Sequence, residues 1–137
     1  MKKMLLVVGS LMLSMVVLFG FSESASAASS SVYFETDNIE SSQSIYVSSG
    51  RTVTVKINSC SRVNWSSFKK DSMSVSQCGP AISVNLTSVS TGNSTSTKVV
   101  GSDGYVTFTN MVGGTYYVHF YDSWSSYFFS GWSTVSR

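Results

Sequence analysis

Apolar and polar side chains alternate through most of the chain after residue 30. Val32 and Phe34 are out of phase with Tyr33 and Glu35, and Val53, Val55 and Ile57 with Thr52, Thr54 and Lys56. Ile82, Val84 and Leu86 likewise alternate with Ser83, Asn85 and Thr87. A period of two over four to eight residues predicts half-buried antiparallel strands. The pattern predicts strands at 31–36, around Ile45 and Val47, at 52–58, around Met73 and Val75, at 82–87, at 98–100, on either side of Gly113, and at 127–135. Asp37-Asn38, Ser49-Gly50, Gly79-Pro80 and Asp103-Gly104 read as breaks or turns. Residues 28–31 read as a frayed lead-in, and 88–97, rich in Ser, Thr, Gly and Asn, as a long exposed loop. Between Ser59 and Asp71 the period fails; Trp65 and Phe68, three apart, fit one turn of helix there.

The stretch Gly104–Trp124 gives the sharpest expectation. Val106 and Phe108 share one face of a strand, and Tyr116, Val118 and Phe120 one face of the next, with Val112-Gly113-Gly114 between them. A three-residue hairpin loop with Gly114 left-handed satisfies both faces. That register sets Tyr105 opposite Tyr121, Thr107 opposite His119 and Thr109 opposite Tyr117, so the outer face becomes a tyrosine strip around the sole histidine. A slip of one residue would expose Val106, Phe108, Val118 and Phe120. With eight or nine short strands and no helix long enough for a parallel crossover, the chain is expected to be all-β. A small antiparallel β-sandwich, Ig-like or prealbumin-like, fits best.

The string G-Y-V-T-F-T-N-M-x-G-G-T-Y-x-V, Gly104 to Val118, resembles the closing hairpin of Cna B-type and transthyretin-like secreted β-sandwich modules. The resemblance implies the same sandwich class and says nothing of a ligand. Cna B-type repeats commonly carry a Lys–Asn isopeptide bond; no asparagine follows Asn110 here, so that feature is not carried over.

Composition sharpens the class. The first 27 of 137 residues read as a secretory signal peptide: Lys2 and Lys3, an apolar run from Met4 to Phe21, then Ala25-Ser26-Ala27. Cleavage after Ala27 would leave one domain of 110 residues, 28–137, as an extracellular protein. Lys2, Lys3 and Glu23 leave with the leader, so seven basic residues face six acidic ones. A net charge of +1 lacks the basic stripe that nucleic acid requires, so no nucleic-acid partner is expected. Two cysteines in an exported chain, Cys60 and Cys78, read as one disulfide rather than a metal or redox site. No cofactor is expected.

Candidate chemistry is sparse. His119 is the only imidazole; no G-x-S-x-G elbow accompanies it, and Asp122, three residues on, falls on the other face of a strand. Glu35, Asp37 and Glu40 lack the spacing of a calcium loop. Sequons at Asn64, Asn85 and Asn93 are the chance product of a Ser/Thr-rich chain. The chain is therefore expected not to be an enzyme.

Aromatic residues give the better candidate surface: Tyr105, Tyr117, His119, Tyr121, Trp124, Tyr127 and Trp132. Each tyrosine or tryptophan ring offers an apolar face with a polar tip, which suits stacking on sugar rings, a surface protein, or a membrane–water interface. Either the strip lies open, or a second sheet or the strand 127–135 covers it and makes it core. The expectation is a secreted binding module for a cell-wall glycan, exopolysaccharide or protein. The alternative is a secreted toxin or bacteriocin-like protein whose stretch Ser88–Thr109 and aromatic C-terminal part insert in a target membrane.

Overall fold

The computed structural model describes residues 27–37 and 43–137. The leader reading, up to Ser26, and Glu40 lie outside the described residues. Two antiparallel sheets face each other. One holds β1 (Ser29–Glu35), β9 (Tyr127–Ser136), β3 (Val53–Asn64) and β4 (Lys70–Met73) in that order, with β7 (Tyr105–Phe108) also paired to β3. The other runs β2 (Ser44–Val47), β8 (Gly114–Asp122), β5 (Ile82–Ser88) and β6 (Lys98–Val99). The described residues form a sandwich of nine strands, the class that the alternation predicts.

Inward positions are those the period selects: Val32, Phe34, Ile45, Val47, Val53, Val55, Ile57, Val84, Leu86, Val118 and Phe120 are all buried. Phe34 of β1 stacks on Phe120 of β8 with centroids 4.6 Å apart, which locks one sheet to the other. Residues 29–31 are part of β1 rather than a frayed lead-in, because Ser29 to Ser31 pair with Ser136 to Thr134.

The predicted hairpin does not form. β7 pairs with β3, Val106 opposite Val55 and Phe108 opposite Val53, while β8 pairs with β2 and β5 in the other sheet. Thus Tyr105 lies opposite Lys56, and His119 opposite Asn85 rather than Thr107. The inward alternation holds, but two strands facing one core from opposite sheets show the same alternation as two partners in one sheet. The link between them crosses from sheet to sheet. Met111 is buried in the crossing; its N–H donates to Arg51 O, and its carbonyl accepts from Gly50 N–H. The left-handed residue is Asn110 (φ +53°), and Gly114 opens β8. Asparagine tolerates that conformation better than other residues with a side chain.

A β-bulge explains where the period fails. The β3–β9 register shifts between Ile57 and Ser59, so the buried parity changes from Ile57 to Cys60. β3 therefore continues to Asn64, and Asn64–Lys69 is a turn capped by the Asn64 carboxamide rather than a helical turn. Among the described residues the one α-helix is α1 (Val75–Cys78), where Gln77 Oε1 accepts from both Ser74 N–H and Oγ. A single 3-10 turn, Gly79–Ala81, leads into β5. The Cys60–Cys78 disulfide ties β3 to this connection.

The stretch 88–97 is the exposed loop that its composition predicts, and it forms the end of a hairpin. Ser88 N–H donates to Asn93 O and Gly92 N–H to Ser88 O, and the chain returns along β5. There Thr95 Oγ1 accepts from Leu86 N–H at 3.0 Å, a hydroxyl standing where a ladder carbonyl would be. Lys98 closes that side of the sandwich: its Nζ donates to Thr107 O at 2.8 Å and lies over the Phe108 ring. Among the described residues no helix is long and apolar enough to cross a membrane.

Candidate binding surface

The seven aromatic and imidazole candidates fall in three places. Alternation along β8 turns Tyr117, His119 and Tyr121 outward on the four-stranded sheet, as a ladder with successive ring centroids 6.3 and 6.2 Å apart. Tyr46 of neighbouring β2, opposite Thr115, extends the same face. This face is open: Tyr46 is 62% and Tyr117 38% exposed, while His119 and Tyr121 are half-buried. Beneath Tyr121 the hydroxyl donates to Asn85 Oδ1, and Asn85 Nδ2 donates to Thr97 Oγ1, both at 3.4 Å.

Tyr105 and Trp132 are on the outer face of the other sheet. Lys56 Nζ sits 5.5 Å from the Tyr105 ring centroid, and Trp132 meets Tyr33 edge-on at 5.4 Å. Trp124 and Tyr127 form the third group, at the end of the sandwich where β8 turns into β9. The Trp124 ring meets Tyr127 at 5.9 Å and the buried Phe129 at 5.2 Å, and Arg62 covers Tyr127 at 4.7 Å. Asp122 fixes this corner, accepting from Trp124 N–H at 2.7 Å and from the Thr36 hydroxyl. The expected single strip is therefore three surfaces, because the two strands meant to share it belong to different sheets.

The two sheet faces differ in charge. Outward positions of the four-stranded sheet are Ser44, Tyr46, Thr115, Tyr117, His119, Tyr121, with Ser83, Asn85 and Thr87 of β5. None is Asp, Glu, Lys or Arg. The five-stranded face carries Glu35 and Lys56 among its rings. Tyr33 and Tyr46 were not among the sequence candidates, although each lies out of phase with a buried apolar pair, which is the signal that finds them.

Tyr33 holds its proton beyond the ordinary phenol range, first because burial disfavours the phenolate and next because its hydroxyl donates to Glu35 Oε1 at 2.8 Å. A folded-state value above the unfolded one supplies stability at pH below about 10 that fades as pH rises through the folded value. An absorbance titration should show one tyrosine ionising late, and Glu35→Gln should bring that step earlier. An unchanged step in the variant would remove Glu35 as a cause.

Among the described residues no three His, Cys, Asp or Glu side chains gather as a metal site. No protein-family model matches the chain, and no curated protein matches it.

Proposed function

We propose that this protein is a secreted, non-enzymatic binding module whose four-stranded sheet docks on an extracellular surface glycan. The observation that carries this reading is the open face of Tyr46, Tyr117, His119 and Tyr121 among hydroxyl and carboxamide side chains, with no charged residue on it. Flat rings on a sheet present apolar faces to the C–H faces of sugars, and the surrounding hydroxyls bond sugar hydroxyls. Exposed aromatic rings gathered on one face, rather than scattered, mark an interaction surface. The buried disulfide is compatible with export and supports the leader reading of residues 1–27.

Retention on insoluble polysaccharides and on purified cell walls tests the proposal. Wild type should be retained on at least one of them. The Tyr46→Ala/Tyr117→Ala pair should weaken retention at least about tenfold, a change of roughly 1.4 kcal/mol. Melting of that pair should stay near wild type, since exposed substitutions shift stability by only about 0.5 kcal/mol. Retention of wild type on none of the polymers would end the glycan reading. Leakage from dye-loaded vesicles would favour membrane action instead.

A further inference from the structure

A pocket opens at the end of the sandwich where the Ser88–Thr95 hairpin tip faces the sheet-to-sheet crossing Thr109–Gly113. Its volume is about 410 Å³, within the roughly 300–1,000 Å³ of small-molecule clefts. Eight of its twelve lining residues are Ser, Thr or Asn and none is charged, a lining that suits a neutral polar molecule. Its apolar wall is Met111 and Tyr116, and Tyr116 keeps its ring there by donating its hydroxyl to Val112 O at 2.7 Å.

Most of the hydroxyls on the hairpin side are used within the fold. Thr95 Oγ1 serves Leu86 N–H, Ser88 Oγ meets Ser90 Oγ, and Thr91 Oγ1 accepts from Asn93 N–H. Among the described residues, the side chains of Asn93, Thr109 and Asn110 make no hydrogen bond inside the protein. Two carboxamides and a hydroxyl supply both donors and acceptors, which is what vicinal sugar hydroxyls require.

The pocket lies beside the aromatic face. Ser94 in its wall meets Thr87 Oγ1 at 2.7 Å, and Thr87 is the cross-strand neighbour of Tyr117. From Tyr117 the ladder runs along β8 to Tyr121, roughly 13 Å at the rise of a strand. The combined path holds an oligosaccharide rather than a single ring.

We propose that the glycan is a neutral, uncharged polymer, with one sugar seated in this pocket against Asn110 and Thr109 and the following sugars lying on Tyr117, His119 and Tyr121. This rests on the glycan reading above and names the class of ligand and the sense in which it lies. An acidic polymer would find no cation on this path. The guanidinium groups near it, Arg51 and Arg137, line a separate small pocket with Tyr46, and Arg137 already donates to Ser30 Oγ.

Affinity electrophoresis through gels containing a soluble neutral glucan, mannan or galactan, or the acidic polymer polygalacturonate, tests this. Asn110→Gly removes the carboxamide while keeping a residue suited to the left-handed backbone, and Thr109→Val removes an exposed hydroxyl. Each should lower affinity for the retarding neutral glycan at least about threefold, and the pair about tenfold, with melting temperature unchanged and little response to salt. Retardation of both variants equal to wild type would overturn the pocket while leaving the glycan reading intact. Retardation by polygalacturonate alone, lost in salt, would overturn the neutral class. No retardation by any polymer, together with no retention on insoluble polysaccharides or walls, would remove the glycan reading and this inference with it.

Discussion

Gly131→Ala is expected to destabilise the fold by about 4 kcal/mol, near the upper end of single-residue effects. Gly131 lies opposite Cys60 just past the β3 bulge, and opposite Phe34 on its other side. A Cβ there would sit 2.0 Å from Ser59 O and 2.9 Å from Cys60 Cα. Both are backbone atoms, so no side chain can swing aside. β9 cannot retreat, because β1 and β3 hold it from both edges. Relief requires breaking part of the β3–β9 ladder, and a small domain has only about 5–15 kcal/mol to lose. Urea unfolding of Gly131→Ala beside Ser136→Ala, at the other end of the same strand, reads the difference. A Gly131→Ala midpoint equal to wild type would show that the bulge yields without loss. Failure of the variant to fold under conditions where Ser136→Ala folds would agree with the expected direction.

Loss of the disulfide is the second large effect. Cys60 and Cys78 are 18 residues apart, and cross-linking a loop of that length stabilises by about 3 kcal/mol, chiefly by restricting the unfolded chain. The bond joins β3 of one sheet to the connection that begins β5 of the other. Cys60→Ala/Cys78→Ala should therefore lower stability by about 3 kcal/mol while keeping the same fold. Both cysteines are buried, at 4% and 0% exposure, so a thiol reductant reaches the bond only when the region opens. Reduction under native conditions should then be slow and should quicken in step with urea. Rapid reduction without denaturant would show that this corner opens locally.

Most strand positions and their inward sides were legible in the sequence, because burial of one face imposes a period of two wherever the register is regular; the exception is Val75, expected to share a strand with Met73, which instead opens α1 after β4 ends at Met73. Val53, Val55 and Ile57 show this directly. Two kinds of information were not legible. One is the bulge after Ile57: a single extra residue reverses the parity, so Cys60 looks like the end of the pattern when the strand continues to Asn64, and Val63, three further on, falls on the opposite face beside Phe128. The other is sheet membership. Val106, Phe108, Tyr116, Val118 and Phe120 face inward whether β7 and β8 are partners or opposed, and only the tertiary bonds of Met111 to the Gly50-Arg51 turn separate the two. The candidate surface divides accordingly. Tyr117, His119 and Tyr121 keep one face because they are on one strand, whereas Tyr105 went with β3 to the other sheet. The pocket was beyond reach for the same reason, since its two walls, the hairpin tip and the crossing, are brought together only by the closed sandwich.

The central place of β9 also sets the order of events during synthesis. Among the described residues β1 has no ladder partner except β9, and Ser133 Oγ donates to Val32 O across 101 residues of chain. Contacts so distant in sequence make folding slow, since the loop must close before they form. A growing chain that ends before residue 127 has neither the partner of β1 nor the second partner of β3, and so cannot complete the five-stranded sheet. The five-stranded sheet therefore closes only once Tyr127–Ser136 has been made, whereas every strand of the four-stranded sheet precedes it in the chain.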